Sequence, residues 1–357
     1  MYKFFRFFLF MINPERIHIL TVKMLKIARY IPFFNAFLRF AFSVKSPELE
    51  RKVIGLKFKN PVGFAAGFDK NAEVYNELSD FGFGFIEIGT VTRNAQKGNA
   101  KPRLFRLIRD KAIVNRMGFN NNGVEKTLEN LRKNRRRNLI IGGNIGKNTN
   151  IDNENAPAEY EKTISRLYNY VDYLVINISC PNVDNLQHLQ DSEELKRLLA
   201  QLTEFRRYRD IYKPMLIKIS PDLTFEQIDE ILDIIRSLGI DGVVATNTTK
   251  SRENLKTSGK NLKKTGDGGL SGAPLTKRAL EIIEYINKKT DGDLPIIGVG
   301  GIMTEDDAIN MLNAGARLVQ IYTGFIYNGP KFVKRINKRI LAELRKPDKT
   351  TDNNSES

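Results

Sequence analysis

Residues 215–246 read MLIKISPDLTFEQIDEILDIIRSLGIDGVVAT and contain one complete repeat of the fold. Two short apolar runs, 215–219 and 242–246, flank a longer segment in which Ile228, Ile231 and Ile235 recur at helical spacing. Such spacing is typical of a helix with one apolar face. Continuous apolar runs are typical of strands that are buried on both faces, as in a parallel sheet covered by helices. The stretch therefore predicts a strand, a crossover helix and a second, parallel strand.

The same alternation extends from residue 60 toward the C-terminus. Eight apolar runs predict strands, at 62–66, 85–89, 139–143, 173–178, 215–219, 242–246, 296–299 and 318–322. Helical spacing lies between them, at 72–80, 123–137, 158–170, 192–209, 224–238, 274–290 and 304–314. Eight strands alternating with helices predict an α/β protein with a (β/α)8 TIM barrel, and a doubly wound open sheet is the alternative. Two longer connections, 92–122 and 250–273, predict lids or binding loops.

The first 42 residues differ in composition from the rest. They contain 12 of the 34 Phe and Tyr residues, seven Lys or Arg and one acid, Glu15. We predict helices at 3–11 and 14–30 and an apolar stretch at 33–42. No apolar run approaches the 20 or so residues that span a bilayer, and a basic, aromatic helix suits a membrane interface. A helical cap packed on the domain is the alternative. We divide the chain into this extension (1–42), the barrel (43–345) and a disordered tail (346–357).

Composition excludes several classes of site. Cys180 is the only cysteine and there are two histidines, so disulfides, cysteine zinc sites and iron–sulfur clusters within the chain are excluded, and we expect no metal. The formal net charge of +16 favours an anionic partner, which could be a nucleic acid, a lipid surface or an acidic substrate.

The predicted strand ends carry polar residues and glycines, and barrel active sites form at the carboxyl ends of strands. Glycine-rich pieces at 268–272, 298–301 and 323–324 predict a phosphate site near the last two strands. Lys218 lies inside an apolar strand, where a lysine is costly unless it is paired; the alternative is a head group that reaches solvent. Cys180 follows an asparagine-rich strand end and could act as a base if its pKa is lowered; the alternative is a small buried hydrophobe.

Several of these segments together resemble one family. They are Asn-Pro at 60–61, AAGFDK at 65–70, IEIGTVT at 86–92, KPRLFR at 101–106, NRMGFN at 115–120, NIGKN at 144–148, ATNTT at 245–249 and VQIY at 319–322. The chain closely resembles dihydroorotate dehydrogenases, in particular the quinone-using class 2, from about residue 13 to residue 330. The resemblance implies oxidation of (S)-dihydroorotate to orotate in pyrimidine biosynthesis, with FMN as cofactor and a membrane quinone as electron acceptor.

The resemblance also implies site residues. FMN would be held by Ala66, Gly67, Phe68, Asp69, Lys70, Thr90, Asn144, Asn177, Lys218, Thr246, Gly272, Gly301, Tyr322 and Thr323. The pyrimidine would be held by Lys70, Asn115, Arg116, Met117, Gly118, Phe119, Asn177, Asn182, Asn247 and Thr248. The quinone site would include His18, Arg106 and Tyr322, and Cys180 would be the catalytic base.

The chain departs from the class 2 pattern at two positions. Class 2 members usually have serine where this chain has Cys180, whereas cysteine is the base of class 1; Gln187 stands where class 2 members commonly have arginine. The alternatives are therefore a class 1 enzyme using fumarate or NAD and an RNA-modifying flavin barrel of the dihydrouridine synthase kind. We expect no nucleic-acid partner, a monomer, and peripheral attachment to the cytoplasmic side of a bacterial inner membrane.

Overall fold

The computed structural model describes residues 2–134, 136, 138–179, 181 and 192–346. Within them the helices are α1 (Tyr2–Met11), α2 (Pro14–Ala28), α3 (Phe34–Phe42), α4 (Tyr75–Ser79), α5 (Gly123–Asn134), α6 (Ala156–Leu167), α7 (Ser192–Arg207), α8 (Phe225–Leu238), α9 (Gly259–Lys263), α10 (Thr276–Lys289), α11 (Glu305–Asn313), α12 (Thr323–Asn328) and α13 (Lys331–Leu344). The strands are β1 (Arg51–Val53), β2 (Leu56–Phe58), β3 (Val62–Phe64), β4 (Phe85–Val91), β5 (Leu104–Leu107), β6 (Ala112–Asn115), β7 (Ile140–Ile145), β8 (Tyr173–Asn177), β9 (Met215–Ile219), β10 (Gly242–Ala245), β11 (Gly269–Gly272), β12 (Ile296–Val299) and β13 (Leu318–Ile321).

The eight predicted apolar runs form the eight strands of a closed parallel barrel. The order around it is β3, β4, β7, β8, β9, β10, β12, β13 and back to β3. Every residue of β4, β8 and β9 is buried, which explains why these runs lack polar alternation. The barrel prediction is confirmed, and the open sheet is excluded because β13 pairs with β3.

A hairpin of β1 and β2 closes the N-terminal end of the barrel. Phe58 of the hairpin lies edge to face against Phe85, the first residue of β4, with ring centroids 5.1 Å apart. Val53 and Phe58 pack with inward-facing residues of the barrel, including Tyr173 and Leu216. The lower half of the barrel is therefore a dry core, and a ligand can enter only from the opposite end.

The two long connections contain a second sheet that the sequence pattern did not predict. Strands β5, β6 and β11 pair antiparallel in the order β11, β6, β5. Each of these three strands is only four residues long, and β11 and β6 lie more than 150 residues apart in the chain. No local sequence pattern therefore predicts them. This sheet places residues over the carboxyl ends of the barrel strands.

The predicted helix at 72–80 is shorter in the structure, where α4 starts only at Tyr75. Ala72 has a φ of 56°, which an α-helix does not allow. The carboxylate of Asp69 accepts the backbone N–H groups of Glu73 (2.7 Å) and Val74 (2.8 Å), so this segment is a loop ordered by a side chain. The helices α12 and α13 after the last strand were not predicted either.

The N-terminal extension consists of the helices predicted at 3–11 and 14–30 and a third, α3, in the apolar stretch. Ion pairs fix it to the barrel: Lys26 with Glu73, Arg29 with Glu77, and Arg39 with the fully buried Asp80. No helix in the described part of the chain is both long enough and apolar enough to cross a membrane. On α1, the side chains of Phe4, Phe5, Phe7, Phe8 and Met11 are 51–74% exposed.

Candidate active site

A cavity that is partly open to solvent lies at the carboxyl ends of the barrel strands. Its floor is formed by strand ends and its roof by the antiparallel sheet, through Leu104, Ile113 and Asn115. The further lining residues are Ala65, Ala66, Gly67, Lys70, Thr90, Met117, Gly118, Phe119, Asn177, Lys218, Thr246, Asn247, Thr248, Ser271, Gly272, Leu275, Val299, Gly300, Gly301, Ile302, Met303, Gln320, Ile321, Tyr322, Thr323 and Gly324.

Most of the predicted ligand-binding residues line this cavity. From the cofactor set these are Ala66, Gly67, Lys70, Thr90, Asn177, Lys218, Thr246, Gly272, Gly301, Tyr322 and Thr323. From the substrate set they are Lys70, Asn115, Met117, Gly118, Phe119, Asn177, Asn247 and Thr248. Cys180 and Asn182 lie outside the described residues.

Four described residues of the cofactor and substrate sets are not in the cavity wall. Asp69 uses its carboxylate to order the 70–74 loop, and burial raises its pKa to about 6. Phe68 packs against aromatic rings, and Asn144 lies below the wall. Arg116 turns outward, where its Nε and Nη2 donate to Pro102 O at 3.1 and 2.8 Å. These residues can affect a bound ligand only through neighbours or backbone groups.

A network of amides forms part of the cavity floor. Thr90 donates to Oδ1 of Asn144 (2.6 Å), and Nδ2 of Asn177 donates to both Thr90 (3.0 Å) and Asn144 (3.1 Å). Nδ2 of Asn247 continues the network to Oδ1 of Asn177 (3.2 Å) and to Ser179 (3.0 Å). Three barrel strands and the loop after β10 thus present a continuous polar surface with both donors and acceptors.

Lys218 lies in β9 beside this network and is only 6% exposed. Its strand places it in register with Asn177 of β8 on one side and Val244 of β10 on the other. The head group therefore does not reach bulk solvent, which settles the alternative raised by the sequence. A buried ammonium at the floor of a cavity is suited to an electron-rich or anionic ligand group.

The glycine-rich end of the cavity admits only glycine at two positions. Gly272 and Gly301 have φ values of 103° and 75°. A Cβ would lie 2.4 Å from Lys111 O at the first and 2.3 Å from Thr276 backbone atoms at the second. The hydroxyls of Ser271 and Thr323 lie 2.8 Å apart at the same end. A backbone without Cβ atoms, which a ligand can approach closely, and two hydroxyls are a suitable setting for a phosphate.

Lys70 stands at the boundary between this cavity and a neighbouring one beside α2. Its Nζ donates to Oδ1 of Asn120 (2.6 Å) and lies 2.8 Å from Sδ of Met117. Since a lysine ammonium has three N–H donors, Lys70 can bind an anionic group while it keeps the Asn120 contact.

Two of the three predicted quinone-site residues, His18 and Tyr322, lie at one aromatic cluster. His18 of α2 contacts the ring of Phe68 at 4.6 Å, and Phe68 in turn lies 6.3 Å from Tyr322 in the cavity wall. Burial and the nearby charge of Lys70 lower the pKa of His18 to about 4, so its imidazole is neutral at physiological pH. Burial raises the pKa of Tyr322 to about 12.

Arg106 is outside the cavity but joins its roof to α1. Its Nη1 donates to Phe10 O (3.2 Å) and Ile12 O (2.8 Å), and its guanidinium lies 4.5 Å from the Phe10 ring. Phe10 belongs to an apolar cluster with Leu104, Ile113 and Met303, three residues that also line the cavity. An apolar wall therefore runs from α1 to the cavity.

Sequence reasoning did not single out Ser271, Gln320 or Met303 as site residues, although the piece 268–272 was predicted to lie at a phosphate site. Ser271 and Met303 lie in segments interpreted as loops, so their cavity positions depend on tertiary pairing. Gln320 left a signal, because it is a polar residue within an otherwise apolar strand. Its Oε1 is buried and has no hydrogen-bond partner among the described residues.

The chain is similar to one family throughout the barrel. Residues 48–344 match the family model described as dihydroorotate dehydrogenase. A Christiangramia forsetii protein named dihydroorotate dehydrogenase (quinone) is 54% identical over 333 residues, covering 93% of this chain and 96% of the relative. A Marinobacter nauticus protein of the same name is 43% identical, covering 96% of this chain and 100% of the relative.

Solved structures agree with the sequence comparisons. The crystal structure of an Eimeria tenella DHODH in complex with ferulenol has a TM-score of 0.84 and 34% sequence identity, covering 93% of this chain and 92% of that one. A ligand-free form of the Eimeria tenella protein also has a TM-score of 0.84, at 35% identity.

Proposed function

This chain belongs to the dihydroorotate dehydrogenase family, and from that membership we propose that it oxidises (S)-dihydroorotate to orotate in pyrimidine biosynthesis and passes the electrons to a quinone. The observation that carries the proposal is the meeting of buried Lys218, the Asn177 and Asn247 amides and Lys70 in one cavity. The quinone-named relatives at 43–54% identity favour class 2 over the fumarate- and NAD-linked class and over an RNA-modifying barrel.

The residues of the cavity fit FMN. Three features of the cavity suit a flavin mononucleotide. They are Oε1 of Gln320, which has no partner among the described residues, the glycine cradle at Gly272 and Gly301, and the buried Lys218. The glycine end, with Ser271 and Thr323, would hold the phosphate, and Lys218 with the amides would hold the ring. When bound, FMN supplies the hydride-accepting chemistry, and the protein supplies orientation and electrostatics.

The pyrimidine is proposed to bind at the Lys70 end of the cavity. Lys70 would pair with the carboxylate of dihydroorotate, and Asn115, Asn177 and Asn247 would bind the alternating N–H and C=O groups of its ring. Cys180 is proposed to remove the C5 proton as the base. Holding the ring at a fixed distance from that base supplies the orientation on which the rate depends.

The second substrate is proposed to arrive along the apolar wall that joins α1 to the cavity. Leu104, Ile113 and Met303 offer an apolar quinone a path that is closed to the anionic pyrimidine. His18 and Arg106 would lie along its approach, and Tyr322 at its inner end. The neutral imidazole of His18 is compatible with an uncharged quinone ring.

We further propose that α1 to α3 lie in a membrane interface. Their exposed Phe side chains and the chain's net charge of +16 suit an anionic lipid surface. The expected location is the cytoplasmic side of a bacterial inner membrane, with the protein attached peripherally as a monomer.

Anaerobic addition of dihydroorotate to the purified protein tests the activity. Bleaching of the flavin band at about 450 nm, where an oxidised flavin cofactor absorbs, followed by rapid recovery with a soluble quinone, is the expected result. Recovery with fumarate or NAD in place of quinone would move the enzyme to class 1. No bleaching would overturn the dihydroorotate assignment.

A further inference from the structure

Glu87 is a buried carboxylate on the barrel axis, directly below the cavity. It is 0% exposed and lies on β4 two residues beyond Phe85, which packs in the apolar core at the N-terminal end of the barrel. No ion pair of Glu87 occurs within the part of the chain that the structure describes. A buried carboxylate without a cation is expensive unless donors surround it. The hydrogen bonds that its two carboxylate oxygens accept should therefore explain why a glutamate is present at this position.

The described partners of the Glu87 side chain are all neutral donors. Nδ2 of Asn144 donates to Oε1 (2.8 Å), Nε2 of Gln320 donates to Oε2 (2.6 Å), and the Tyr173 hydroxyl lies 3.5 Å from Oε2. An ionised carboxylate can only accept hydrogen bonds. Both amides must therefore turn their NH2 groups toward Glu87 and their oxygens away from it.

The orientation of each amide is coupled to that of the next across the floor of the cavity. With its NH2 group on Glu87, Asn144 offers Oδ1 to the NH2 group of Asn177 at 3.1 Å. Asn177 then offers its own Oδ1 to the NH2 group of Asn247 at 3.2 Å. The chain ends where Oδ1 of Asn247 accepts the backbone N–H of Thr248 at 2.9 Å. An amide alone has no preferred orientation. The acceptor-only carboxylate of Glu87 sets the pattern from one end, and the backbone N–H groups of Ser179 and Thr248 support the same orientation of Asn177 and Asn247.

On the other side, Glu87 fixes Gln320. Because Nε2 of Gln320 is held by the carboxylate, its Oε1 is the atom left without a partner among the described residues of the cavity wall. A buried acceptor without a partner is costly. A donor on a bound ligand would satisfy it.

We propose that Glu87 is the positioning residue that sets the donor and acceptor pattern of the cavity floor, through Asn144, Asn177 and Asn247 on one side and Gln320 on the other. This inference rests on the proposed function for the identity of the ligand. Glu87 does not line the cavity itself, and it acts by deciding which atom of each amide faces a bound ligand. A negative charge below the cavity would also disfavour electron uptake by a flavin held there.

Glu87→Gln tests the proposal, because a glutamine keeps the shape but supplies one donor. Either Asn144 or Gln320 must then turn over to avoid two facing NH2 groups. The exchange variant Glu87→Gln/Asn144→Asp restores the original pattern, because the new amide at position 87 donates to the new carboxylate at position 144 and accepts from Gln320. Tyr173→Phe is the matched control, since it removes a hydroxyl that contacts both Glu87 and Gln320 but keeps the carboxylate that orients the amides.

The primary readout is the FMN dissociation constant of the full-length protein. Glu87→Gln is expected to weaken FMN binding about tenfold, the ratio that one hydrogen bond of ordinary strength represents. The exchange variant, which also changes Asn144, should regain most of that affinity, and Tyr173→Phe should bind like the wild type. The midpoint potential of the flavin should rise in Glu87→Gln, which removes the charge. It should fall in the exchange variant, which moves the charge closer to the cavity.

A purely structural role for Glu87 would not give potential shifts of opposite sign. The melting temperature of the flavin-free protein provides a readout independent of the proposed function, and it should fall in Glu87→Gln and recover in the exchange variant. If the wild type binds no FMN, the proposed function fails while this thermal rescue still decides the inference. The inference would be overturned if Glu87→Gln had the FMN affinity and melting temperature of the wild type. It would also be overturned if the exchange variant failed to restore the FMN affinity or the melting temperature that Glu87→Gln loses.

Discussion

Arg103 donates from both Nε and Nη2 to one carboxylate oxygen of Glu15, at 3.2 and 2.8 Å, and the two side chains are only 7% and 11% exposed. Nη1 of Arg103 also donates to Lys97 O (2.6 Å) and Asn99 O (2.9 Å). The N–H of Asn99 donates to Met117 O at 3.1 Å, beside the proposed pyrimidine site. The ion pair thus joins α2 of the extension to the loop that carries Met117.

Glu15→Gln should loosen that loop and raise the KM for dihydroorotate while leaving FMN bound. We expect a loss of roughly 1–3 kcal/mol in the free energy of unfolding, because the charge of Arg103 loses its partner but keeps an acceptor oxygen. Chemical denaturation and steady-state kinetics would measure both effects. The control is Lys101→Gln: Lys101 lies 3.5 Å from Glu15 but is 64% exposed, so it should change stability by less than about 1 kcal/mol.

The stability difference should also depend on pH. Burial alone would raise the pKa of Glu15, but the guanidinium of Arg103 and the ammonium of Lys101 outweigh it and lower the pKa below 4.5. A carboxyl group whose pKa is depressed by folding stabilises the protein above its unfolded pKa, and this contribution is lost as the pH falls through the folded pKa. The gap between wild type and Glu15→Gln should therefore narrow in acid. A gap that stays constant from pH 7 to acid would contradict the ion-pair explanation.

The barrel was predictable because each strand is an apolar run that needs no partner to be recognised. The predicted strands also gave the positions of their polar carboxyl ends, so Thr90, Asn177 and Thr246 could be predicted to lie near one another. Residues 104–107 and 269–272 gave no such signal, because their strands are short and stabilised by pairing with distant segments. The contribution of Ser271 to the cavity was missed for that reason.

Glu87 shows a different limit of sequence reasoning. It stands within the conspicuous motif IEIGTVT, yet a single acid in an apolar strand does not reveal what surrounds it. Its role depends on Asn144 of β7, which neighbours β4, and on Gln320 of β13, which is separated from β4 by β3. Phe68 and Asp69 show that residues of a recognised motif can also lie outside the cavity wall. The loop places Phe68 in an aromatic cluster and directs the carboxylate of Asp69 to backbone N–H groups.

Lys70→Met should raise the KM for dihydroorotate by about 10- to 100-fold, because a hydrogen bond to a charged group contributes about 1.5–3 kcal/mol. Lys70 lies in the cavity wall, whereas the exposed side chain of Lys97 lines only the neighbouring cavity. Lys97→Met is therefore the matched loss of one lysine and should leave KM near the wild-type value. Equal effects of the two changes on KM would indicate long-range charge attraction and not a specific contact of Lys70.

His18→Gln should change how stability depends on pH. The pKa of His18 falls from 6.5 to about 4 on folding, so between these values the unfolded chain binds a proton that the folded chain does not. Wild-type stability contributed by His18 is therefore complete above pH 6.5 and is lost as the pH falls toward 4. Denaturation of the wild type and the variant should be measured at several pH values. The free energy of unfolding of the wild type should rise relative to that of the variant as the pH rises across this window.

Asp69 acts in the opposite sense in nearly the same window. Burial raises its pKa from 3.8 to about 6, so its contribution to stability declines as the pH rises. The absolute pH curve of the wild type therefore mixes two opposed effects. Because the wild type and His18→Gln both contain Asp69, the difference between their stabilities isolates the effect of His18. A difference that is independent of pH would contradict the half-buried, neutral imidazole.

Phe4→Ser/Phe7→Ser should release the protein from vesicles that contain anionic lipid. The two side chains are 67% and 65% exposed on α1. Burying one such side chain contributes about 1.5–3 kcal/mol, so the double variant should bind at least about tenfold more weakly. Tyr208→Ser/Ile211→Ser removes two residues that are 76% and 60% exposed in the turn after α7 and should bind like the wild type. Equal losses in the two variants would argue against attachment through α1.

Cys180→Ser should retain part of the activity and move the pH profile of dihydroorotate oxidation to higher pH. A thiol has a reference pKa of about 8.5, and a serine hydroxyl is far less acidic, so a serine base requires stronger activation at the same pH. The measurement is the rate of flavin reduction by dihydroorotate across pH, which separates the proton-removal step from reoxidation by quinone. Cys180→Ala, which removes the base altogether, should abolish that reduction without releasing FMN. An unchanged profile in Cys180→Ser would remove Cys180 from the role of base, and the class 2 body of the chain would then have to supply its base from another residue.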